Sequence, residues 1–409
     1  MTAIIGDQGS SAEIAWLRSP RAVRERCHAL LALAERDALE HFDLDPTRME
    51  EVAGYVTTVI RANYPDLVIP YHSRWRHFET GHVDRWRALA DRLGCGDDAE
   101  LARIRIDLCA ASVLLDAGAG AAWTYHEPAT GQHLTRSEGL AVASFDAFCA
   151  GLFSGDLSDL FRVDAKGLSH LPETALAQAF QVSQINPLVG LQGRAALLRN
   201  LGVALRDHPD MFGAEARVGN LFDFWRKLSA SRGGLSAADL LTTLLHAFAS
   251  IWPGRIEVDG QNVGDVWRHP RVGLVPFHKL SQWLCYSLIE VLEAASVPVG
   301  NVDDLTGLAE YRNGGLFIDF GVLRPRTPSM VAARLPPDHP AVVEWRGMTV
   351  ALLDRLAPML RDRLGRTARE LPLARLLQGG TWDAGRRIAR ARRPDGSPPI
   401  VVQSDGTLF

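Results

Sequence analysis

Apolar residues recur every three to four positions along most of this chain, which predicts a body built from amphipathic helices. Pro20 followed by RAVRERCHALLALAERDALEHF reads as an initiating proline and a helix running to about residue 41. DPTRMEEVAGYVTTVIRANY predicts a second helix, with Asp45 as N-cap and Pro46 at the first helical position. Residues 97–117 end in a stretch apolar enough to be buried on most sides, and further helices are expected over 138–153, 172–184, 190–207, 236–250, 276–296, 339–363 and 368–378. Strand signals are few. Residues 255–266 fit a hairpin around Asp259-Gly260, residues 123–139 fit another with a turn at 128–131, and GLFIDFGVL at 315–323 reads as extended. No fixed-period repeat interrupts the pattern. The expected fold class is mostly α, a compact helical body with a few short β-hairpins. In chain order it divides into an N-terminal helical region (1–165), a central region (166–325) and C-terminal helices with a tail (326–409), with breaks near 160–172 and 325–338.

Charge changes this picture by exclusion. The 409 residues carry a net charge of −4, which gives no global electrostatic case for nucleic acid or an anionic membrane as partner. The five cysteines are scattered with no CxxC pair, so neither a disulfide framework nor a zinc site is indicated, and Cys109, Cys149 and Cys285 read as small core residues. No basic leader precedes a long apolar run, and no window approaches a membrane span, so a cytoplasmic location is expected.

Chemistry concentrates in four segments. PYHSRWRHFETGHVDRW at 70–86 gathers His72, Arg74, Trp75, Arg76, His77, Glu79 and His82, offering charge-assisted donors for phosphate or carboxylate beside flat aromatic faces. An exposed basic turn is the plain alternative, and a metal site at His72, His77, Glu79 and His82 matches no standard helical ligand spacing. LLDAGAGAAWTYHEPATGQHLTRSEG places Asp116 at a glycine-opened turn that backbone or ligand can approach closely, although Asp116 also suits a turn cap. Gly118 and Gly120 follow a helical pattern and lack the third glycine of a dinucleotide fingerprint. Downstream, Arg136 and Glu138 are ligand candidates and Ser137 suits an N-cap. PFHKLSQWLCYSLIEVLE sets His278, Lys279 and Gln282 in the first turns of a helix, and Glu310 precedes Tyr311-Arg312-Asn313-Gly314-Gly315. A lysine and a carboxylate so placed form an acid/base or charge-stabilising pair, or a surface lysine with an Arg–Glu ion pair. In the C-terminal stretch, Trp382, Ile400, Val401, Val402 and Phe409 are apolar anchors that predict an ordered tail, and Arg386 is a candidate anion ligand.

Seven motifs in order, HSRWRHFE, LLDAGAGAAWTY, RSEGLAVAS, NPLVGLQGR, EYRNGGLFIDFGVL, GTWDAGR and SDGTLF, together resemble a family of bacterial and fungal uracil-catabolism proteins, from about residue 12 to the end. The resemblance implies a place in a route that converts uracil to its nucleotide, opens the ring and breaks a ribosylurea-type intermediate down to urea. FHKLSQWL followed by EYRNGGLFIDFGVL is also similar to the active-site helix and loop of queuosine-phosphate N-glycosidases, helical enzymes related in fold to helix-hairpin-helix DNA glycosylases. In that pattern Lys279 and Gln282 match, and Glu310 stands where an aspartate precedes the Tyr-Arg pair. The carboxylate is one methylene longer here, and Asn313-Gly314-Gly315 replaces bulkier residues, so Asp319 is the nearest competitor.

These resemblances imply hydrolysis of the C1′–N bond of a phosphoribosyl-urea compound. The expected catalytic residues are Glu310, Lys279 and Asp319. The expected substrate contacts are His72, Arg74, Trp75, His77, Asp116, Arg136, Glu138, Gln282, Tyr311, Arg312, Trp382 and Arg386. The partner is a small phosphoribosyl molecule, and no cofactor or metal is expected. A metal-assisted amidohydrolase step through His72, His77 and Glu79, and a non-catalytic ligand sensor of the same pathway, are the competing readings.

Overall fold

The computed structural model describes residues 5–252, 254–328, 330, 333–403 and 406–407. It is mostly α. Every strand among the described residues is two to four residues long and pairs with a single neighbour. The described residues fall into two compact units, one drawn from Met1–His72, Arg255–Gln282 and Asn301–Gln403, the other from Ser73–Gly254, Trp283–Gly300 and Ser404–Phe409.

The first unit is organised around the long helix Pro340–Leu364, which starts on Pro340 behind the His339 cap and ends at left-handed Gly365. Against it pack Pro20–Ala34, Met49–Asn63 and Tyr311–Asp319. Ser19 caps the first of these by accepting from Ala22 N, with Pro20 at the first helical position. That helix stops at Ala34, short of the expected residue 41. Asp37 turns left-handed at φ 53°, and Ala38 N closes back on Leu33 O at 2.9 Å. The freed chain enters a strand, Phe42–Leu44, antiparallel to Leu323–Pro325. Asp45 caps the short turn Pro46–Arg48, with Pro46 at its first position as the sequence predicts, and the helix Met49–Asn63 follows from Arg48 without a side-chain cap of its own.

Two further differences concern the site. GLFIDFGVL is not extended along its length: Tyr311–Asp319 is a helix with Leu316 and Phe317 buried, and only Leu323 onward forms strand. The predicted 368–378 helix is Leu373–Leu376, which passes through a π-helical turn, Leu377–Thr381, into Trp382–Arg392. Gly379 and Gly380 lie in that turn, where a Cβ on Gly380 would press on Ile60 and Val56. The tail is ordered where described: Ile400 is buried and Val401–Val402 pairs in parallel with Arg334–Leu335. Phe409 lies outside the described residues.

In the second unit, Asp97 caps Asp98–Leu114, which is buried on most sides as expected and packs on Arg136–Cys149. The two predicted hairpins are present. Thr124–His126 pairs with His133–Thr135 in this unit. In the first unit Glu257–Val258 pairs with Gln261–Asn262 across left-handed Asp259 and Gly260. Arg85–Leu93 and Leu221–Arg232 are helices that periodicity did not single out. The helix predicted over 172–184 is only Glu173–Ala179, since Gln181 takes φ 54°. All five cysteines are free. Cys109 and Cys285 are core residues, but Cys149 is only partly covered, and burial pushes its thiol up to about 11. No helix among the described residues is long and apolar enough to cross a membrane.

Trp382–Arg392 packs closely on Tyr311–Asp319 at Gly385, where any Cβ would collide with the Arg312 carbonyl. Backbone cannot yield as a side-chain tip does. Gly385→Ala is therefore expected to cost about 1–3 kcal/mol, as overpacking does, read as a lower urea midpoint with an unchanged denaturant slope.

Candidate active site

Glu310 anchors the first unit's cluster. In β conformation, it caps Tyr311–Asp319, its Oε2 accepting from Arg312 N and its Oε1 from Asn313 N, both at 2.6 Å. Burial pushes the carboxyl above its ordinary value, while the two backbone N–H groups and the charges of Lys279 and Arg312 pull the other way. Lys279, nearly buried, is the first residue of the helix Lys279–Ala294.

The start of that helix is fixed by a buried ion pair. Arg346 on the long helix forks onto Asp265, Nη1 to Oδ1 and Nη2 to Oδ2 at 2.8 Å each, and Trp267 Nε1 donates to Oδ1 at 2.6 Å. Asp265 then accepts from Lys279 N at 3.1 Å through Oδ2 and from Phe277 N at 2.9 Å through its carbonyl. Burial opposes the charge on Asp265, but Arg346 and these donors hold the carboxyl well below the usual range. His278, left-handed at φ 48°, bonds through Nε2 to Leu17 O at 2.9 Å, and burial lowers its pKa. Gln282 is fully buried. Its Nε2 donates to Phe277 O and Thr306 Oγ1, and its Oε1 accepts from Thr306 N at 2.8 Å. It braces the lysine-bearing turn to the segment leading into Glu310.

The remaining sequence candidates of this unit lie in three further places. Arg312 donates through Nη1 to Gly396 O at 2.8 Å and lies over the ring of Tyr311. His72 Nδ1 bonds Gln378 Oε1 at 3.0 Å and its ring tilts against Trp382, over which Arg386 sits 4.8 Å from the centroid. Gln378, carried on the π-helical turn, also donates to Tyr64 Oη. Asp319 sits at the far end of its helix from Glu310, clasped by Arg393 at 2.7 and 2.6 Å.

The second unit's cluster centres on Arg74, which has no exposed surface. Its Nε donates to Ser112 Oγ at 2.7 Å and its Nη1 to Asp116 Oδ1 at 2.9 Å, while Trp283 and Phe78 cover the guanidinium. Burial lowers its pKa against the pull of Asp116, and its buried Nη2 has no hydrogen-bond partner among the described residues. Ser137 is not the helix cap, a place taken by Thr135. Its hydroxyl donates instead to Asp116 Oδ2 at 3.1 Å. Arg136 takes φ 56° at the exposed start of that helix, with Glu138 half-buried two residues on. His77 stands edge-on to Trp283 at 5.4 Å. Trp75 is core, its Nε1 bound to Ser287 O and its ring under Arg105. Among the described residues no group of three or more His, Cys, Asp and Glu is placed to hold a metal ion.

Several organising residues escaped the sequence reading. Arg194 is fully buried and donates to Leu115 O, Ala117 O and Gly118 O, and to Val189 O, thereby shaping the turn that carries Asp116. Its only sequence signal was its place in NPLVGLQGR. Asp265 and Arg346 lie 81 residues apart and gave none. Gln378 was announced only by the double glycine beside it.

The family described as a protein of unknown function, DUF1688, matches residues 16–409. The chain belongs to the DUF1688 family. It is 41% identical to Protein urg3 of Schizosaccharomyces pombe (strain 972 / ATCC 24843), covering 98% of this chain and all of that protein. It is 39% identical to Uracil catabolism protein 4 of Lachancea kluyveri, over 97% of this chain and 99% of that one. The resemblance carried by the seven motifs is thus borne out, at nearly full length.

In this DUF1688 chain Asp265→Asn leaves a buried Arg346 without its countercharge, a change expected to cost about 3–5 kcal/mol. Because the folded pKa of Asp265 is depressed, its contribution is present above the ordinary aspartate value and fades as pH falls. The gap between parent and variant in chemical denaturation should therefore be widest near neutrality and narrow below about pH 4.

Proposed function

We propose that this DUF1688 protein acts in uracil catabolism by hydrolysing the C1′–N bond of a phosphoribosyl-urea compound to urea and a ribose phosphate. The observation that carries the reading is Glu310, a buried carboxyl held by two backbone N–H groups with the charge of Lys279 acting on it. The name of the Lachancea kluyveri relative supports the pathway, and the match of Lys279, Gln282 and Glu310-Tyr311-Arg312 to the N-glycosidase pattern supports the bond that is cleaved.

In this reaction the glycosidic bond breaks ahead of water attack, and positive charge builds on C1′ and the ring oxygen. A fixed carboxylate stabilises that charge, and it does so more strongly in a site shielded from water. Glu310 meets both conditions, since its orientation is set by the helix it caps. Water then adds its oxygen to C1′ and the departing nitrogen gains a proton, so that one water is consumed and urea leaves neutral. Lys279 is assigned the donation of that proton, a contribution typically of about 10²–10⁴-fold. Its neighbour Asp265 fixes the backbone beneath it, and Gln282 fixes the distance to the Glu310 segment. Arg312 and Arg386 are assigned the phosphate. Asp319 is assigned the fastening of Arg393, not chemistry.

Glu310→Gln preserves shape but removes the negative charge. Urea release from N-ribosylurea 5-phosphate should fall by about 10²–10³-fold, with ribose 5-phosphate affinity changing little, while Asp319→Asn lowers stability more than turnover. The raised carboxyl adds a second check. Wild-type stability is eroded as pH rises above the ordinary glutamate value, because the unfolded chain ionises before the folded one. The stability difference should accordingly shift in favour of the Gln variant as pH rises above the ordinary glutamate value of about 4.3. Near-normal turnover by Glu310→Gln would remove the carboxylate from the mechanism.

A further inference from the structure

Asn313 is the third residue of the Tyr311–Asp319 helix, and its backbone N–H is one of the two that hold the Glu310 carboxylate. Its side chain has no exposed surface, yet neither Oδ1 nor Nδ2 has a hydrogen-bond partner among the described residues. A buried primary amide with both ends unmet is costly, and native proteins leave few such groups without a purpose. The buried amide of Gln282, in the same unit, bonds at both ends. The next residue on the helix has a similar neighbour. A Cβ on Gly314 would fall 2.6 Å from Trp345 Nε1, an indole N–H that is itself buried and has no hydrogen-bond partner among the described residues. Glycine at this position is what lets the indole approach the helix.

We propose that Asn313 recognises the ureido group of the substrate, its Oδ1 accepting an N–H and its Nδ2 donating to the neighbouring C=O. The proposal rests on the glycosidase reading of the Glu310 site and names the residue that selects the leaving group. The chemistry favours this class of ligand. A phosphate only accepts hydrogen bonds, so it would leave Oδ1 unmet and set an anion beside the Glu310 carboxylate. A urea presents N–H and C=O side by side, as an amide does, and the pair matches edge to edge.

The test uses two ligands that are not hydrolysed, N-methylurea and ribose 5-phosphate, titrated against the full chain and followed by ligand-observed NMR. Asn313→Leu should weaken N-methylurea binding by at least about tenfold and leave ribose 5-phosphate within twofold of the parent. It should also raise the Tm, because an apolar side chain relieves an unmet buried amide; a merely structural asparagine would give a lower Tm. Unchanged N-methylurea binding, an equal loss for ribose 5-phosphate, or no N-methylurea binding by the parent overturns the proposal. Should the Leu variant fail to fold, Asn313→Ala serves in its place. It removes both ends of the amide and adds no charge, so it too must lose N-methylurea and keep ribose 5-phosphate. The two readings fail separately. Asn313-dependent N-methylurea binding in a protein that releases no urea from N-ribosylurea 5-phosphate would leave the recognition standing and retire the glycosidase. Urea release indifferent to Asn313 would do the reverse.

Discussion

A carboxylate can be kept out of water only if the protein supplies what water supplied, and the bonds from Arg312 N and Asn313 N to Glu310 supply part of it from the backbone, beside the charges of Lys279 and Arg312. Two consequences follow. The first turn of a helix has donors that no intrahelical carbonyl can satisfy, so the cap stabilises the helix and the charge together. Arg312 and Asn313 contribute their N–H groups to Glu310 and keep their side chains for other work.

The rest of the first unit can be understood as scaffolding for that arrangement. Lys279 acts on Glu310 only if the two segments that carry them keep their register, and both are tied by buried polar groups. Asp265 secures one, Gln282 joins it to Thr306, and Arg346 locks Asp265 from the long helix. Such buried pairs contribute little to net stability once desolvation is counted, but breaking one is severe. Their value here is positional. Close packing at Gly385 and Gly314 plays the same part in steric terms, by letting a helix and an indole approach where a Cβ would forbid it.

How much of this was legible in the sequence depended on whether the signal was local. The cap at Asp45, the hairpin at Asp259-Gly260 and the helical class all follow from neighbours within a few residues, and all are present. Lys279 and Glu310 were visible through motif resemblance, and the structure places them in one unit with the charge of one acting on the other. Long-range partners were not visible. Arg346 looks like any helical arginine until Asp265 is brought to it, and Arg194 like any other until its carbonyls converge. GLFIDFGVL misled because its aromatic and branched residues suit a strand, whereas the Glu310 cap and the packing of Leu316 and Phe317 decide for a helix. Trp75 was read as a ligand face because of its polar company, but its indole N–H is bound by Ser287 O in the core.

The account turns on which bond is cut. Substrate carrying ¹³C at the ureido carbon distinguishes the possibilities in a single NMR time course with the purified full chain. Cleavage at C1′–N delivers the label in intact urea, stoichiometric with ribose phosphate and without ammonia. Appearance of the label in bicarbonate or carbamate, with ammonia released, would place the attack at the ureido carbonyl and contradict the glycosidase mechanism.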